Sequence, residues 1–467
     1  MEDYRFSSYG IKVKLENEED KYMLLHGYTG AIDIVNEKVM EYLDNISHYQ
    51  EKNKQLSEST LKSLEKRGYL TTKTIDEEVL FVKKMANLMH RKAKLTHINF
   101  GLLVSYDCNF RCPYCYEAKI SNYGSRWSKQ KFTKELVDKA YSAMVQIQER
   151  REFHSKAILL YGGEPLLKEN KDIVTYIVKK GNELGYHFFA ITNGYDIEEY
   201  ADLLGPKMIE RIQITVDGWK PYHNKKRIHY KNGETFDTII KNVGIALKKD
   251  IYVGIRMNTD INNFDGIEQL SQYFNQIGFS KFEKFNFNSA LLVDYLQSGS
   301  NKKVNYMNRT EFCDRHGKLN VEQKFEDWGC SQNLTNAIKK GKKLNLSPVY
   351  CAAQVGSYIF DPFGKIYSCW ESIGKQEALV GDYNEEEIQW TSLLEKMHHR
   401  NVGELEKCSK CKYAFLCKGG CLTIAAKEGK EISSIQCNDY DVTFKAVVNK
   451  IYSKHISNMD ICQNKKD

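Results

Sequence analysis

The stretch CNFRCPYCYE, residues 108–117, places three cysteines within eight positions. Cys108 is followed after three residues by Cys112 and after two more by Cys115. A closed structural zinc site uses four protein ligands, so three thiols on one tight loop leave one corner of a metal site open. The sequence therefore predicts a 4Fe–4S cluster with one exposed iron. A zinc knuckle or unrelated buried cysteines are the alternatives.

Six strand-like runs alternate with helical stretches between residues 97 and 295. The runs are HINFGLLVS, KAILLYGG, HFFAITNG, RIQITVDG, YVGIRMNT and FEKFNFNSA. Such alternation is typical of a parallel sheet with helices on its outside. Six units are fewer than the eight of a complete barrel. The sequence thus predicts an α/β fold with a partial (β/α)6 TIM-like barrel over residues 97–295, and the three-cysteine loop follows its first strand.

Further motifs follow later strands of this predicted barrel. YGGEP covers residues 161–165, TNG covers 192–194 and TVDG covers 215–218. Each alone is a common turn, and the glutamate could simply be buried. In this order after the three-cysteine loop, however, they resemble the radical SAM superfamily. That resemblance implies a cluster on Cys108, Cys112 and Cys115 that binds S-adenosylmethionine (SAM), cleaves it reductively and yields a 5′-deoxyadenosyl radical.

The resemblance also implies a set of SAM contacts. Gly162, Gly163 and Glu164 would hold the methionine amino group, and Tyr114 would pack near adenine. The ribose and carboxylate contacts would come from Thr192, Asn193, Thr215 and Asp217, with Arg227 as a cation near the SAM carboxylate. The stretch DGWKPYHNKKRI, 217–228, departs from the corresponding family segment at Trp219 and Asn224. A core aromatic at Tyr114 and a solvent-exposed Arg227 are the alternative readings.

A second set of cysteines lies between residues 346 and 445. Its spacing is Cys-x2-Cys-x5-Cys-x3-Cys from 408 to 421, with two cysteines before and one after. This pattern resembles the SPASM domain, which implies two auxiliary 4Fe–4S clusters. Cys351, Cys369 and Cys421 would hold the first, and Cys408, Cys411, Cys417 and Cys437 would hold the second. A zinc ribbon is the alternative for residues 408–421.

The first auxiliary cluster lacks an evident fourth ligand. Cys330 and Cys313 lie upstream in a polar connecting insertion, residues 296–345. There are two alternatives: one of these cysteines completes the cluster, or its iron stays open to a substrate thiolate or carboxylate. Glu371, two residues after Cys369, is a candidate catalytic acid or base beside this cluster. A surface glutamate is the alternative.

Residues 1–90 show strand-like runs followed by helical periodicity, with Ser57 and Gly68 as caps of one helix. They predict a winged-helix-like module. It resembles the element by which radical SAM enzymes bind a leader peptide as an added strand. The remaining residues, 446–467, form a helical tail.

Composition and charge limit the cellular compartment and the partners that we expect. The net charge of +7 over 467 residues demands no nucleic acid, and no apolar run approaches the roughly 20 residues that span a bilayer. We expect a cytoplasmic protein without a membrane or nucleic-acid partner. Thirteen cysteines in a reducing compartment indicate metal ligands or catalytic thiols rather than disulfides.

The leading interpretation is a radical SAM peptide maturase that binds a precursor peptide and takes electrons from a donor such as ferredoxin or flavodoxin. Thioether crosslinking is the expected chemistry, while carbon–carbon crosslinking, epimerisation and decarboxylation stay open. The alternatives are a maturase of a folded protein, such as the anaerobic sulfatase-maturing type, and a non-enzymatic iron–sulfur redox sensor that binds DNA.

Overall fold

The described part of the N-terminal region combines a small antiparallel sheet with helices. The computed structural model describes residues 4–16, 18–46, 56–117, 124–293, 306–317, 319, 324–325, 330–429, 431–437 and 440–463. The first elements are β1 (Arg5–Phe6), β2 (Gly10–Lys14), β3 (Lys21–His26), β4 (Ile32–Asn36), α1 (Glu37–Asp44), α2 (Glu58–Arg67), β5 (Leu70–Thr71) and α3 (Ile75–Thr96). Strands β2, β3 and β4 form one sheet in that order, and β1 pairs with β5.

The caps expected for helix α2 are present. The Ser57 hydroxyl accepts a hydrogen bond from the Thr60 N–H, and Gly68 ends the helix with φ of +92°. A non-glycine residue would be strained there. These two local signals therefore fix where α2 begins and ends.

The N-terminal region shares its core with the cysteine-rich region. Ile11 and Val13 of β2 belong to the same buried cluster as Tyr413 and Phe444. The Tyr9 hydroxyl donates to the carbonyl of Ser409. The region before the predicted boundary at residue 90 therefore packs against the cysteine-rich region.

The central sheet is mostly parallel. Strands β6 (Asn99–Leu103), β7 (Ala157–Tyr161), β8 (His187–Thr192), β9 (Ile209–Thr215), β10 (Tyr252–Thr259) and β11 (Phe285–Leu291) are neighbours in this order, and each adjacent pair is parallel. Helices α4 (Ser125–Ser128), α5 (Lys134–Ile147), α6 (Lys171–Glu183), α7 (Lys220–Lys226), α8 (Phe236–Leu247) and α9 (Gly266–Gln276) connect them. The predicted α/β class with a mostly parallel sheet is confirmed.

One unit of the barrel differs from the predicted strand–helix pattern. Between β8 and β9 the chain forms a 3-10 turn, Ile197–Tyr200, in place of an α-helix. Gly205 and Pro206 follow shortly after, and proline cannot continue a helix because it lacks the N–H. The connection is therefore short, and β8 and β9 stay adjacent.

The C-terminal half extends the same sheet. It contains α10 (Arg309–Gly317), β12 (Lys324–Phe325), α11 (Cys330–Lys340), β13 (Ser357–Phe360), β14 (Lys365–Tyr367), β15 (Gly381–Asp382), β16 (Gln389–Trp390), α12 (Ser392–His399), α13 (Glu406–Ser409), α14 (Ala414–Cys417), α15 (Leu422–Gly429) and α16 (Tyr440–Gln463). Strand β13 pairs in parallel with β6, and β14 to β16 follow in antiparallel order. Helix α16 runs through residue 446, so the expected tail begins inside a helix whose Val447 and Val448 are buried.

Two contacts hold the β13–β14 hairpin over the first barrel strand. The Tyr106 hydroxyl donates to Asp361 Oδ2 at 2.8 Å, beside the three-cysteine loop. Trp370 lies against Gly101 of β6, where an added Cβ would come within 2.3 Å of the indole ring. These contacts bring residues 369–371 to the barrel opening. None of the helices in the described part of the chain combines the length and apolar character needed to cross a bilayer.

Candidate active site

A cavity of about 390 Å³ opens at the carboxyl ends of the parallel strands. This end of a parallel sheet is where ligands bind in α/β folds. Among its lining residues are Cys108, Cys112, Cys115, Tyr114, Gly162, Gly163, Glu164, Thr192, Asn193, Thr215, Arg227 and Glu371. The structure thus brings together every predicted SAM contact except Asp217, and adds Glu371 from the cysteine-rich region.

The three thiols at one side of this cavity influence one another. Desolvation raises the pKa of the Cys108 thiol well above its ordinary value, and the nearby Glu164, Cys112 and Cys115 raise it further. The Phe110 N–H donates to Cys108 Sγ at 3.4 Å, and Arg227 Nη1 lies 3.6 Å from Cys112 Sγ. Metal ligation requires the deprotonated thiolate. A cationic group bound by all three sulfurs would stabilise the thiolates.

Glycine is required at the end of β7. Gly162 has φ of +134°, and a Cβ on Gly163 would lie 2.4 Å from the Asp107 carbonyl oxygen and 2.5 Å from that of Tyr106. Those carbonyls immediately precede Cys108. The Gly163 N–H already donates to the Ser105 carbonyl at 3.1 Å. This close approach seats the three-cysteine loop on the neighbouring strand end.

Glu164 connects two strand ends from within the protein. Its Oε1 accepts from the Thr192 hydroxyl at 2.6 Å and from the Leu166 N–H at 2.8 Å, while Oε2 accepts from the Asn193 N–H at 2.5 Å. Desolvation nevertheless raises the pKa of this carboxyl group to about 7. A ligand ammonium group beside it would favour the carboxylate.

Asp217 lies behind the cavity wall and supports Tyr114. The Tyr114 hydroxyl donates to Asp217 Oδ2, and the Asn258 N–H donates to Oδ1 at 3.1 Å. Arg227 Nη1 donates to the Tyr114 hydroxyl at 3.2 Å. The structure therefore gives Asp217 a position from which it orients Tyr114 and Asn258.

Several lining residues were missed at the level of sequence. Glu117 is buried, its Oε2 has no hydrogen-bond partner among the described residues, and desolvation raises its pKa to about 8. Glu371 raises the pKa of Glu117 further, which places the two carboxyl groups near each other. Two sequence features could have identified these residues. Glu117 directly follows the CPYCY run, and Arg256 and Asn258 lie at the carboxyl end of β10.

A second group of thiols contains Cys351, Cys369 and Cys421. Desolvation raises the pKa of Cys351 to about 12, and the thiols of Cys369 and Cys421 add to that increase. Cys369 Sγ lies 3.0 Å from the Thr423 hydroxyl oxygen. This is the set of three that the family resemblance implies for one auxiliary cluster.

Cys313 and Cys330 lie elsewhere. Cys313 belongs to the hydrophobic core of the barrel. Cys330 belongs to the buried cluster of Tyr413 and Leu416, against which Cys411 and Cys417 also pack.

A third group contains Cys408, Cys411, Cys417 and Cys437. Desolvation raises the pKa of Cys408 to about 12, followed by the effects of the thiols of Cys417, Cys411 and Cys437. The Tyr413 N–H donates to Cys411 Sγ at 3.4 Å. N–H donors to sulfur are typical of sites where thiolates hold an iron–sulfur cluster.

None of these groups is arranged as the site of a single metal ion. Within the described ranges, no three His, Cys, Asp or Glu side chains converge closely enough to hold one ion. Zinc bound at about 2.3 Å from each sulfur would draw its thiolates into direct contact. The geometry thus gives the zinc alternatives no preformed mononuclear site.

Comparison with known proteins gives one family match. Residues 102–270 match the model described as the Radical SAM superfamily. This range begins in β6 and includes the three-cysteine loop, the GGEP segment and the strand ends around the cavity.

Two curated relatives cover most of the chain. The cysteine-type anaerobic sulfatase-maturating enzyme of Clostridium perfringens (strain 13 / Type A) is 23% identical over 357 residues, which span 73% of this chain and 92% of that enzyme. The radical SAM cyclopropyl synthase TigE of Paramaledivibacter caminithermalis is 23% identical over 404 residues, which span 80% of each chain.

Solved structures show the same fold. Native anSMEcpe with bound AdoMet superposes with a TM-score of 0.56 at 19% identity, covering 79% of this chain and 100% of that one. Streptococcus suis SuiB bound to precursor peptide SuiA superposes with a TM-score of 0.51 at 14% identity, covering 92% of this chain and 98% of that one. At these identities the likeness concerns fold alone.

Proposed function

We propose that this chain is a peptide maturase that forms thioether crosslinks. It contains a radical SAM domain and is an enzyme of the radical SAM class, as its sequence predicted. The family implies SAM and one 4Fe–4S cluster as cofactors. Two further auxiliary clusters, the peptide substrate and the thioether product belong to the proposal. Separate features of the structure support each of these.

The cavity residues fit the SAM-binding cluster and SAM itself. Cys108, Cys112 and Cys115 would hold the cluster, which supplies the electron that cleaves SAM to a 5′-deoxyadenosyl radical. Glu164 is placed to accept from the methionine ammonium group, and Arg227 to neutralise a carboxylate. The protein's own contribution is to orient SAM and keep water from the cavity.

An open sheet edge supports binding of a leader peptide. Strand β4 lies at the edge of the three-stranded sheet. The Ala31 carbonyl accepts a hydrogen bond from the His26 N–H, and the Glu37 N–H donates to the Asp20 carbonyl. The backbone N–H and C=O groups of every second residue along β4 therefore point toward β3. The N–H and C=O of Ile34 therefore point outward, and its side chain is 50% exposed. An extended peptide could add a strand at this edge.

The thioether assignment rests on one observation. The thiols of Cys369 and Cys421 lie close enough to Cys351 to raise its pKa, while Cys313 is buried in the barrel core and Cys330 is buried against Tyr413 and Leu416. Three thiolates leave one ligand position for a further group, and thiolates are the usual ligands of iron–sulfur clusters. A substrate cysteine is therefore the ligand we assign to that position.

The net reaction balances in atoms and electrons. One hydrogen atom leaves a substrate carbon and appears in 5′-deoxyadenosine. The substrate thiol loses its proton, and joining carbon to sulfur releases one electron, which the auxiliary clusters accept. We assign the proton to Glu371, because it lies in the SAM cavity and two residues from Cys369. Ferredoxin or flavodoxin would reduce the SAM-binding cluster.

Specific observations bear on two alternative functions. Likeness to the anaerobic sulfatase-maturating enzyme favours a folded-protein substrate as the second candidate. The DNA-binding sensor finds no support in α2, where Lys62 pairs with Glu58 and Arg67 pairs with Asp33, which leaves little positive charge for phosphate contacts.

The reaction is tested with the reconstituted full chain, SAM, a reductant and a cysteine-containing precursor peptide, which is first sought among the neighbouring reading frames. We expect a mass loss of two hydrogen atoms and protection of one cysteine from alkylation. A peptide with every core cysteine changed to serine should lose the modification. Two-hydrogen loss from that serine peptide would refute thioether formation. Serine hydroxyls left intact would then indicate a carbon–carbon bond, whereas an aldehyde would indicate oxidation of a serine side chain.

Leader binding is tested at the β4 edge. Proline is tolerated at an edge strand where its missing N–H would face solvent, so Ile34→Pro should keep the fold but weaken precursor binding. Ile34→Thr, which keeps the N–H, is the matched control. Unchanged precursor affinity in a folded Ile34→Pro variant would remove this edge from the proposal, and modification of a sulfatase in its place would favour the second candidate.

A further inference from the structure

A buried arginine lies between the two auxiliary thiol groups. Arg400 follows helix α12 and is 3% exposed. Nη2 donates to the carbonyls of Gly419 at 3.0 Å and Ser434 at 2.9 Å, and Nη1 lies 3.5 Å from the Gly420 carbonyl. Lys418, Gly419 and Gly420 separate Cys417 from Cys421, so the guanidinium is held at the segment that joins the two groups.

The same residue faces cysteines of both groups. A methyl group placed on Gly419 would lie 3.6 Å from Cys408 Sγ and 3.7 Å from Arg400 Nη2. On the other side, the Arg400 carbonyl accepts from Gln354 Nε2 at 2.8 Å, and Gln354 Oε1 accepts from the Cys351 N–H at 3.3 Å. Desolvation lowers the pKa of Arg400, and the thiols of Cys408, Cys351, Cys421 and Cys417 oppose that lowering.

Part of the guanidinium is left without a partner. Nε of Arg400 is buried and has no hydrogen-bond partner among the described residues. A buried donor without an acceptor is costly, and an arginine side chain stays charged in proteins. An anionic group beside Arg400 would satisfy both the donor and the charge.

We propose that the buried charge of Arg400 stabilises the reduced state of both auxiliary clusters and so raises both reduction potentials. This inference rests on the proposed function, because it needs the auxiliary clusters. A cluster held by thiolates becomes more negative on reduction, and a fixed positive charge favours that state. Lys407 and Lys412 also lie near the second group, but water and salt screen charges at the surface more than buried ones.

The test uses the full chain with Cys108, Cys112 and Cys115 changed to Ala, so that only auxiliary clusters contribute to the spectra. Reductive titration followed by EPR compares Arg400→Gln, which removes the charge, with Arg400→Lys, which keeps it. We expect Arg400→Gln to lower the ratio of reduced to oxidised cluster about tenfold at a fixed potential for both clusters, equal to about 59 mV for a one-electron couple. Arg400→Lys should stay close to the parent, as should the control Arg315→Gln, which removes an arginine that pairs with Asp265.

The outcomes distinguish the role of Arg400 from the proposed function. Unchanged midpoints in Arg400→Gln with full iron content would overturn the role of Arg400 and leave the proposed function standing. If the parent protein, with Cys108, Cys112 and Cys115 changed to Ala, holds no iron, both the role of Arg400 and the proposed function are overturned.

If Arg400→Gln fails to fold, pulsed EPR on protein carrying 15N in its arginine side chains decides the matter. A 15N coupling to a reduced auxiliary cluster should be present in the parent and lost in Arg400→Lys. A coupling that is absent, or that persists in Arg400→Lys, would overturn the inference.

Discussion

Replacing Gly163 by alanine should damage SAM binding far more than its size suggests. The added methyl carbon would lie 2.4 Å from the Asp107 carbonyl oxygen and 2.5 Å from that of Tyr106. Both atoms are backbone, so relief requires moving the chain that enters the three-cysteine loop. Overpacking of this kind costs about 1–3 kcal/mol. Because the loop must return to its position for SAM to bind, we expect SAM affinity to fall about 5- to 150-fold.

The sheet offers a matched control in Gly254 of strand β10. An alanine there would meet its nearest atom, the Ile212 carbonyl oxygen, at an ordinary 3.8 Å. Equilibrium binding of SAM to anaerobically reconstituted protein, with iron content and thermal midpoint measured in parallel, compares both variants. The reasoning fails if Gly163→Ala binds SAM within twofold of the wild type, or if Gly254→Ala loses as much affinity.

Three other changes have expected outcomes. Glu78 is fully buried and accepts hydrogen bonds from Ser7 and Arg5, so Glu78→Ala should cost about 3–5 kcal/mol in denaturant unfolding. Glu77→Ala, which removes an exposed capping interaction in the same helix turn, should cost only about 1 kcal/mol, and equal losses would contradict the buried-charge argument. Tyr114→Phe removes the hydroxyl held by Asp217 and Arg227 and should weaken SAM binding about tenfold, whereas full affinity would leave that hydroxyl without a role. Burial raises the pKa of Asp361 from 3.8 to about 6, so the folded state binds this proton more tightly than the unfolded chain. The stabilisation, about 3 kcal/mol, is complete below the unfolded pKa and lost as pH rises through 6. Thermal midpoints from pH 4 to 7 should fall more steeply for the wild type than for Asp361→Asn, and parallel slopes would refute the assignment.

Much of the barrel could be predicted because its signals are local. Each parallel strand is a short apolar run that ends in a turn motif, and the strand order follows from repeated strand–helix units. The missing helix after β8 was not visible in these runs, because the prediction rested on alternation and the break at Gly205 and Pro206 acts within one connection. The mostly parallel sheet was therefore predicted correctly, and one connection was not.

The contacts that complete the candidate site join residues far apart in sequence. Trp370 fits against Gly101, and Asp361 accepts from Tyr106, so Glu371 enters the SAM cavity. Sequence placed Glu371 only beside an auxiliary cluster, and it assigned Asp217 to SAM, where the structure places it behind Tyr114. Spacing along the chain carries no information about such packing, and the assignment of Cys421 to the group of Cys351 and Cys369 came from the family resemblance rather than from spacing.

The N-terminal region shows the same limit. Its strands and helices follow from periodicity and from the Ser57 and Gly68 caps. Its shared core with Tyr413 and Phe444 is invisible in sequence, because both sides are ordinary apolar runs. A variant such as Ile34→Pro therefore probes leader binding more cleanly than removal of residues 1–90, which would expose that core.

The central claim is most directly tested by measuring 5′-deoxyadenosine by mass spectrometry after the reconstituted full chain is incubated with SAM and a strong reductant. The wild type should release 5′-deoxyadenosine and hold about twelve iron atoms in three clusters. The variant with Cys108, Cys112 and Cys115 changed to Ala should release none while retaining about eight iron atoms in the auxiliary clusters. Release of 5′-deoxyadenosine by that triple variant at the wild-type rate would contradict the account.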